Sequence, residues 1–205
     1  MTDDLPTTSY AVLGLLALRP WTGYELTQQA RRSLAFCWPK EESVLYEEPR
    51  RLVARGLARG HRERDGGRVR NRYEITDEGR RVLRGWLAGP GGPPRPQFEP
   101  MLRLTFVDQG GTSDALAAVG SLREWAAGMR ADGMAILRGY RAGDAPFPER
   151  SHINVLNACF YLAVYDAAIA FADLAEKEIG TWARTDGLGM TDRTRELLDR
   201  LLAAE

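Results

Sequence analysis

The chain has 205 residues, a formal net charge of zero and 44% apolar composition, which is enough for one or two small globular cores. The early apolar stretch at residues 10–18 is short and follows Asp3 and Asp4, so we expect neither a signal peptide nor a membrane span, and a cytoplasmic location. Cys37 and Cys159 lie far apart, which favours free thiols over a disulfide or a metal site.

Charge is distributed unevenly along the chain. Residues 1–88 contain 16 basic and 12 acidic side chains, whereas residues 89–205 contain 12 basic and 16 acidic ones. Nearly all the basic residues are arginine, whose planar guanidinium suits bidentate contact with phosphate. The N-terminal part is therefore the candidate for a polyanionic partner, although an arginine-rich composition throughout would give a similar asymmetry.

The first two helices are predicted from their start and stop signals. Thr8 or Ser9 can cap the first helix, and Arg19-Pro20 ends it. Residues 22–25 read Thr-Gly-Tyr-Glu, which is the pattern of a capping box. We therefore predict a second helix from this point to about Ser33.

A third helix, a hairpin and a fourth helix follow. The third helix is predicted within residues 39–55, and Gly56 can take the left-handed conformation that ends it. Residues 57–75 alternate as two strands around the turn residues 65–67, and Thr76 can cap the fourth helix. The predicted buried stripe of that helix is Val82, Leu83, Trp86 and Leu87.

The remainder of the chain is predicted to be helical. Helices are expected at about residues 99–107, at 114–141, from about 150 onwards, and after a cap at Thr191. The helix that begins near 150 has a wide apolar stripe formed by Leu156, Phe160, Val164, Ala167, Phe171, Leu174 and Trp182. Since two or three such helices cannot bury their stripes alone, we expect them to pack against a partner chain.

These elements predict a mainly α fold. Three helices, a hairpin and a closing helix describe a winged helix-turn-helix domain in residues 1–88, with the hairpin as its β-hairpin wing. Residues 89–100 are rich in Gly and Pro and form a linker. Residues 101–205 form an all-helical dimerisation domain, which is also the candidate effector domain.

The N-terminal residues resemble the PadR family of bacterial transcriptional regulators. The similar segments cover nearly all of residues 8–88 in order and spacing: SYAVLGLLAL at 9–18, TGYEL at 22–26, Leu45-Tyr46, Arg51-Leu52, Gly56-Leu57 and GRVRNRYEITDEGR at 67–80. The resemblance implies a homodimer that represses transcription and is often released from DNA by a small molecule. Pro49 departs from the aliphatic residue usual in the family, and a proline inside a helix costs about 3 kcal/mol, so the helix either kinks there or is shorter than predicted.

Two groups of residues are candidates for DNA contact. In the third helix, Lys40, Ser43, Tyr46 and Arg50 recur at three- and four-residue spacing and can share one face, with Arg51 beside them. In the wing, Arg68, Arg70 and Arg72 share one strand face and can approach phosphates or the minor groove. Three alternatives remain open: the wing charges protect an edge strand, Tyr46 is partly core, and the acidic residues of the third helix repel phosphate unless they point away.

An effector pocket is the third candidate site. Aromatic faces suit planar organic ligands, and the candidate residues are Phe106, Trp125, Asn157, Phe160, Tyr161, Tyr165 and Trp182. The alternative is that aromatic residues at helical spacing form the core or the dimer interface.

The sequence contains none of the common catalytic signatures that we sought, so we expect neither an enzyme nor a bound cofactor or metal. The leading hypothesis is a homodimeric repressor that binds a palindromic operator in double-stranded DNA and responds to a small aromatic or hydrophobic effector, without membrane contact. The alternatives are a winged-helix protein-interaction module and a regulator that acts without an effector.

Overall fold

The structure is a computed structural model that describes residues 5–34, 36–38, 40–65 and 68–203, without the side chains of residues 64, 65, 68 and 69. The chain divides into two compact units, Met1–Pro94 and Arg95–Glu205. The mainly helical fold with a small antiparallel sheet, predicted from the sequence, is confirmed.

The N-terminal unit has the order of elements expected for a winged helix. Its helices and strands are α1 (Thr7–Leu18), β1 (Trp21–Thr22), α2 (Gly23–Ser33), α3 (Glu42–Ala54), β2 (Ala58–Asp65), β3 (Arg68–Ile75) and α4 (Asp77–Ala88). Leu13, Leu16, Leu26 and Leu52 are fully buried and bring α1, α2 and α3 together around one core.

The described strands form an antiparallel sheet in the order β1-β3-β2. The short β1 pairs through Trp21 with Tyr73, while β2 pairs with β3 along its whole length. Tyr73 and Ile75 are buried against the helices. Because side chains alternate along a strand, the neighbouring residues Arg72 and Glu74 lie on the outer face.

The sequence signals predicted the start of α2 and the end of α3 correctly, but not the start of α1. The capping box at Thr22 and Glu25 is present, and Gly56 has a φ of 71°. The N–H of Leu57 donates to the oxygen of Leu52 at 2.9 Å, which closes the predicted Schellman stop. The prediction that Thr8 or Ser9 caps α1 is wrong, because the helix begins at Thr7 after Pro6.

The structure excludes one of the two alternatives at Pro49 and corrects the buried stripe of α4. Helix α3 continues through Pro49, whose side chain is fully buried, so the proline does not shorten the helix. The predicted buried stripe of α4 is wrong at its C-terminal end. Trp86 is partly exposed and stacks on Tyr10 with the ring centroids 4.9 Å apart, and Leu87 is 66% exposed.

The C-terminal unit is helical. Its elements are α5 (Glu99–Thr105), a 3-10 turn (Val107–Gln109), α6 (Thr112–Ala142), a second 3-10 turn (Pro148–Arg150), α7 (Ser151–Ile179) and α8 (Asp192–Leu202). Helices α6 and α7 pack along each other around a core formed by Ala115, Val119, Ala172, Ala175 and Ile179.

Helix α7 has apolar residues on two faces. Tyr165, Ala172 and Ile179 are buried in the unit, while Leu156 is 72% and Phe160 is 65% exposed. For this reason the segment 148–179 is long and apolar enough, by length and composition only, to cross a membrane, and 11% of its most apolar 18-residue stretch is buried. A single helix of this kind is weak evidence for a membrane span, since core helices of globular proteins have the same composition.

Candidate nucleic-acid interface

The capping box of α2 sets the geometry of the helix-turn-helix. Thr22 Oγ1 accepts a hydrogen bond from the Glu25 N–H at 3.2 Å, and Glu25 Oε2 accepts one from the Thr22 N–H at 2.8 Å. The next residue, Gly23, faces α3: a Cβ atom there would lie 3.2 Å from the ring of Tyr46. The first turn of α2 therefore supports the ring that the sequence assigned to DNA contact.

Helix α3 presents three of the predicted residues on one exposed face. Ser43, Tyr46 and Arg50 follow the helical repeat, and the Arg50 guanidinium lies 5.7 Å from the centre of the Tyr46 ring. Tyr46 is half exposed, so it is not a core residue. Lys40 precedes the helix, which begins at Glu42, and its amine lies 5.0 Å from the Trp38 ring, so the prediction that it shares this helix face is wrong.

The acidic residues of α3 are largely engaged by partners. Glu42 pairs with Arg31 at 2.5 Å and Glu47 with Arg51 at 3.2 Å. Glu48 points inward, is 4% exposed and accepts a hydrogen bond from the Ser9 hydroxyl. These contacts reduce the repulsion of phosphate that the sequence alone left open, and they place Arg51 in an ion pair on the helix surface.

The outer face of the wing carries arginines that stand opposite glutamates on the neighbouring strand. Arg70 is exposed, and its cross-strand neighbour is Glu63. Arg59 is exposed opposite Glu74 on the same face, so it adds a cation that we did not select from the sequence. The side chain of Arg68 lies outside the described residues. Because β1 pairs with β3 only at Arg72 and Tyr73, the edge of β3 beside Arg70 is not covered by β1, and the alternative that Arg70 protects an edge strand stays open.

Arg72 differs from Arg70, although both share one strand face. Its Nε lies 2.6 Å from Glu63 Oε2, and its Nη1 lies 3.5 Å from Glu25 Oε2 and donates to the Pro20 oxygen at 3.3 Å. Burial raises the pKa of Glu25, but hydrogen bonds with Thr22 and the charge of Arg72 outweigh it and hold that pKa below its ordinary value. Arg72 therefore joins several elements of the unit.

Sequence reasoning missed contacts that depend on distant partners. The Ser9–Glu48 hydrogen bond joins residues 39 positions apart, so no local sequence pattern predicts it. Tyr24, in the first turn of α2, is largely exposed. The period of two in β2 could have revealed Arg59, because it lies on the same face as Arg70.

The predicted effector residues occupy separate places in the C-terminal unit. Trp125 stacks edge-on against Tyr165 at 5.4 Å and against Phe98 at 5.7 Å. The ring of Phe160 packs edge-on against Tyr161, and Asn157 is exposed near them on α7. The last two lie elsewhere: Phe106 is exposed after α5, and Trp182 packs on the core. Among the described residues, the candidates therefore fall into separate groups rather than one cluster.

The helix-turn-helix, the two-stranded wing and the closing helix α4 define a winged-helix protein with a separate helical unit. Residues 12–85 match the family described as transcriptional regulator PadR-like, so the chain contains a PadR-like domain and the resemblance noted from the sequence is confirmed.

Comparison with known proteins supports the same class. The chain is 30% identical over 79 residues to the negative transcriptional regulator PadR of Bacillus subtilis, an alignment that covers 38% of this chain and 43% of that protein. The chain thus spans less than half the length of the curated relatives it matches.

Solved structures extend the likeness in fold to both units. Bacillus subtilis PadR in complex with operator DNA matches with a TM-score of 0.73 and 20% identity, over 85% of this chain and 99% of that one. The same protein in complex with p-coumaric acid matches with a TM-score of 0.66 and 20% identity, over 89% and 100%.

Proposed function

We propose that this chain is a cytoplasmic transcriptional regulator without enzymatic activity that represses transcription as a homodimer bound to a palindromic operator. The observation that carries the proposal is the pairing of two exposed surfaces in one compact unit. One is the α3 face formed by Ser43, Tyr46 and Arg50, and the other is the outer wing face that carries Arg70.

The two surfaces suit different parts of duplex DNA. An exposed helix fits the major groove, where Arg50 can bond a guanine edge, and where Ser43 and Tyr46 can donate to bases or phosphates. The wing cations suit the phosphate backbone, which carries no sequence information. The ion pairs of Glu42 and Glu47 and the inward position of Glu48 favour this arrangement, because an arginine offsets each exposed carboxylate and the third carboxylate points away from DNA.

Dimerisation is supported by the unsatisfied apolar face of α7. Leu156 and Phe160 lie one helical turn apart on the face that does not pack on α6, and Leu201 of α8 is equally exposed. Fully burying one such side chain is worth about 1.5–3 kcal/mol, so a partner helix gains several kcal/mol from this face. A second copy of the chain supplies the same face, and a two-fold pair of wings would then match a palindrome.

An aromatic or hydrophobic effector is the finer part of the proposal. A protein of similar fold has been solved with p-coumaric acid. In this chain, Trp125 is partly exposed within its aromatic cluster, and Asn157, Phe160 and Tyr161 lie on or beside the free face of α7. A ligand enclosed by these residues would need the partner chain as its second wall, which couples ligand binding to the dimer arrangement.

Selection of DNA fragments from a random pool tests the proposal. The full chain should enrich one palindromic sequence, and the Arg50→Ala variant should lose that enrichment while it remains folded. Arg103→Ala is the matched control, because this exposed arginine pairs with Glu99 in the other unit. Enrichment of no sequence by a folded parent protein would overturn the proposal in favour of a protein-interaction module.

A further inference from the structure

We propose that Arg72 is a positioning residue that clamps the wing to the helix-turn-helix through Glu63, Glu25 and Pro20, and that Glu63 therefore strengthens DNA binding in spite of its negative charge. The inference rests on the proposed function for its readout on DNA. It removes Arg72 from the set of residues that contact phosphate.

The clamp is defined by where the contacts of one guanidinium lie. Glu63 belongs to β2, and its Oε2 is 2.6 Å from Arg72 Nε. Pro20 lies in the turn between α1 and β1, and its oxygen accepts from Nη1 at 3.3 Å. Glu25 lies in the first turn of α2, with Oε2 at 3.5 Å from the same nitrogen. One rigid, planar group thus joins the wing to the turn after α1 and to the first turn of α2.

Two further observations favour positioning over direct contact. Arg72 is more enclosed than its neighbours, with 31% of its side chain exposed, whereas Glu63 and Glu25 stand at 51% and 35%. The backbone of Arg72 also pairs with Thr22 of β1, the residue that caps α2. Glu25 is the second half of that cap, so Arg72 meets the start of α2 through both its backbone and its side chain.

For Glu63→Gln, the proposal and simple electrostatics predict opposite changes in the affinity for DNA. Replacing Glu63 with glutamine removes an anion from the surface that faces DNA, so charge alone predicts tighter binding. If Glu63 holds the Arg72 clamp, Glu63→Gln instead releases the wing and weakens binding, by about three- to tenfold for coupled groups of this kind. Glu74→Gln is the control, because Glu74 lies on the same sheet face outside the clamp.

The experiment measures the affinity of the full chain for the selected duplex with Glu63→Gln, Glu74→Gln and Arg72→Lys. We expect weaker binding for Glu63→Gln, unchanged or tighter binding for Glu74→Gln, and weaker binding for Arg72→Lys, since lysine keeps the charge but lacks the branched donor group. Tighter binding for Glu63→Gln, or parental affinity for Arg72→Lys, would overturn the proposal.

A second readout needs no DNA. Amide hydrogen exchange of the free protein should be faster in β2 and β3 for Glu63→Gln and Arg72→Lys than for Glu74→Gln, because the clamp no longer holds the hairpin. Equal exchange in all variants would refute the clamp. If the parent protein binds no DNA but the exchange differs as expected, the proposed function fails and the clamp stands.

Discussion

A methyl group at Gly79 should strain the packing between α4 and the end of α3. A Cβ atom at this position would lie 2.1 Å from the backbone oxygen of Leu57 and 2.9 Å from Cγ1 of Ile75. Since carbon and carbonyl oxygen approach to about 3.3 Å at closest in weak hydrogen bonds, α4 would have to move by roughly 1 Å. The Leu57 backbone cannot yield easily, because its N–H closes the Schellman stop of α3.

The expected cost follows from two opposing effects. Overpacking costs about 1–3 kcal/mol and more where backbone must shift, while alanine recovers about 1 kcal/mol of helix propensity. We therefore expect Gly79→Ala to lower the free energy of unfolding by up to about 2 kcal/mol. Gly85 is the matched control on the same helix, because no heavy atom lies within 4 Å of its Cβ position, and Gly85→Ala should raise that free energy by about 0.5–1 kcal/mol.

Urea unfolding followed by circular dichroism measures both variants in the full chain. The prediction is a difference in sign: a lower midpoint for Gly79→Ala and a higher one for Gly85→Ala, with similar denaturant slopes. If both variants are stabilised, the close approach of α4 to Leu57 is absent in solution and the packing described here is wrong.

Three further predictions concern pH, the dimer and the proline. The pKa of Glu25 is lowered in the folded protein, so its contribution to stability is present above the ordinary carboxyl range and is lost as pH falls through the folded pKa. Glu25→Gln should therefore make the thermal midpoint fall less steeply as the pH is lowered. The same fall of the midpoint in parent and variant would contradict this. Sedimentation should show a dimer that Leu156→Asp dissociates and Leu87→Asp, an equally exposed leucine on α4, does not; a monomeric parent would refute it. Pro49→Leu should raise the thermal midpoint by restoring an N–H donor to the oxygen of Leu45, and a lower midpoint would show that the buried ring packs too well to replace.

The sequence predicted those parts of the fold that depend on neighbouring residues. Thr22 and Glu25 lie three residues apart and cap the same helix, and Gly56 ends α3 through a bond that spans five residues. The hairpin is equally local, since β2 ends at Asp65 and its pairing partner Arg68 begins β3. Each of these signals acts within a few residues, so a single sequence contains the whole interaction.

The functional surface was predicted less completely because its partners are distant in sequence. The sequence suggests Ser9 as a helix cap, but its hydroxyl donates a hydrogen bond to the Glu48 carboxylate of α3. Strand alternation groups Arg72 with Arg70, yet its guanidinium contacts Pro20, after α1, and Glu25, in the first turn of α2, about 50 positions away. Alternation along a strand predicts on which face of the sheet a side chain lies, but it does not predict which distant residues contact that side chain.

The helical unit shows the same limit in another form. The apolar stripe read from the sequence of α7 contains Leu156 and Phe160, which remain exposed, whereas the chain packs through Tyr165 and Ala172. Both faces are apolar, so periodicity cannot tell which one meets α6 and which one is left for a partner.

The central claim is that the wing binds phosphate and that α3 reads bases. The measurement is a salt titration of duplex binding for Arg70→Ala, Arg50→Ala and the control Arg103→Ala, on the selected site and on random DNA. We expect Arg70→Ala to lower the slope of log affinity against log salt by about 0.9 on both duplexes. Arg50→Ala should cost about 1–3 kcal/mol on the selected site and little on random DNA, and Arg103→Ala should match the parent. An unchanged slope for Arg70→Ala together with equal losses for Arg50→Ala on both duplexes would contradict the account.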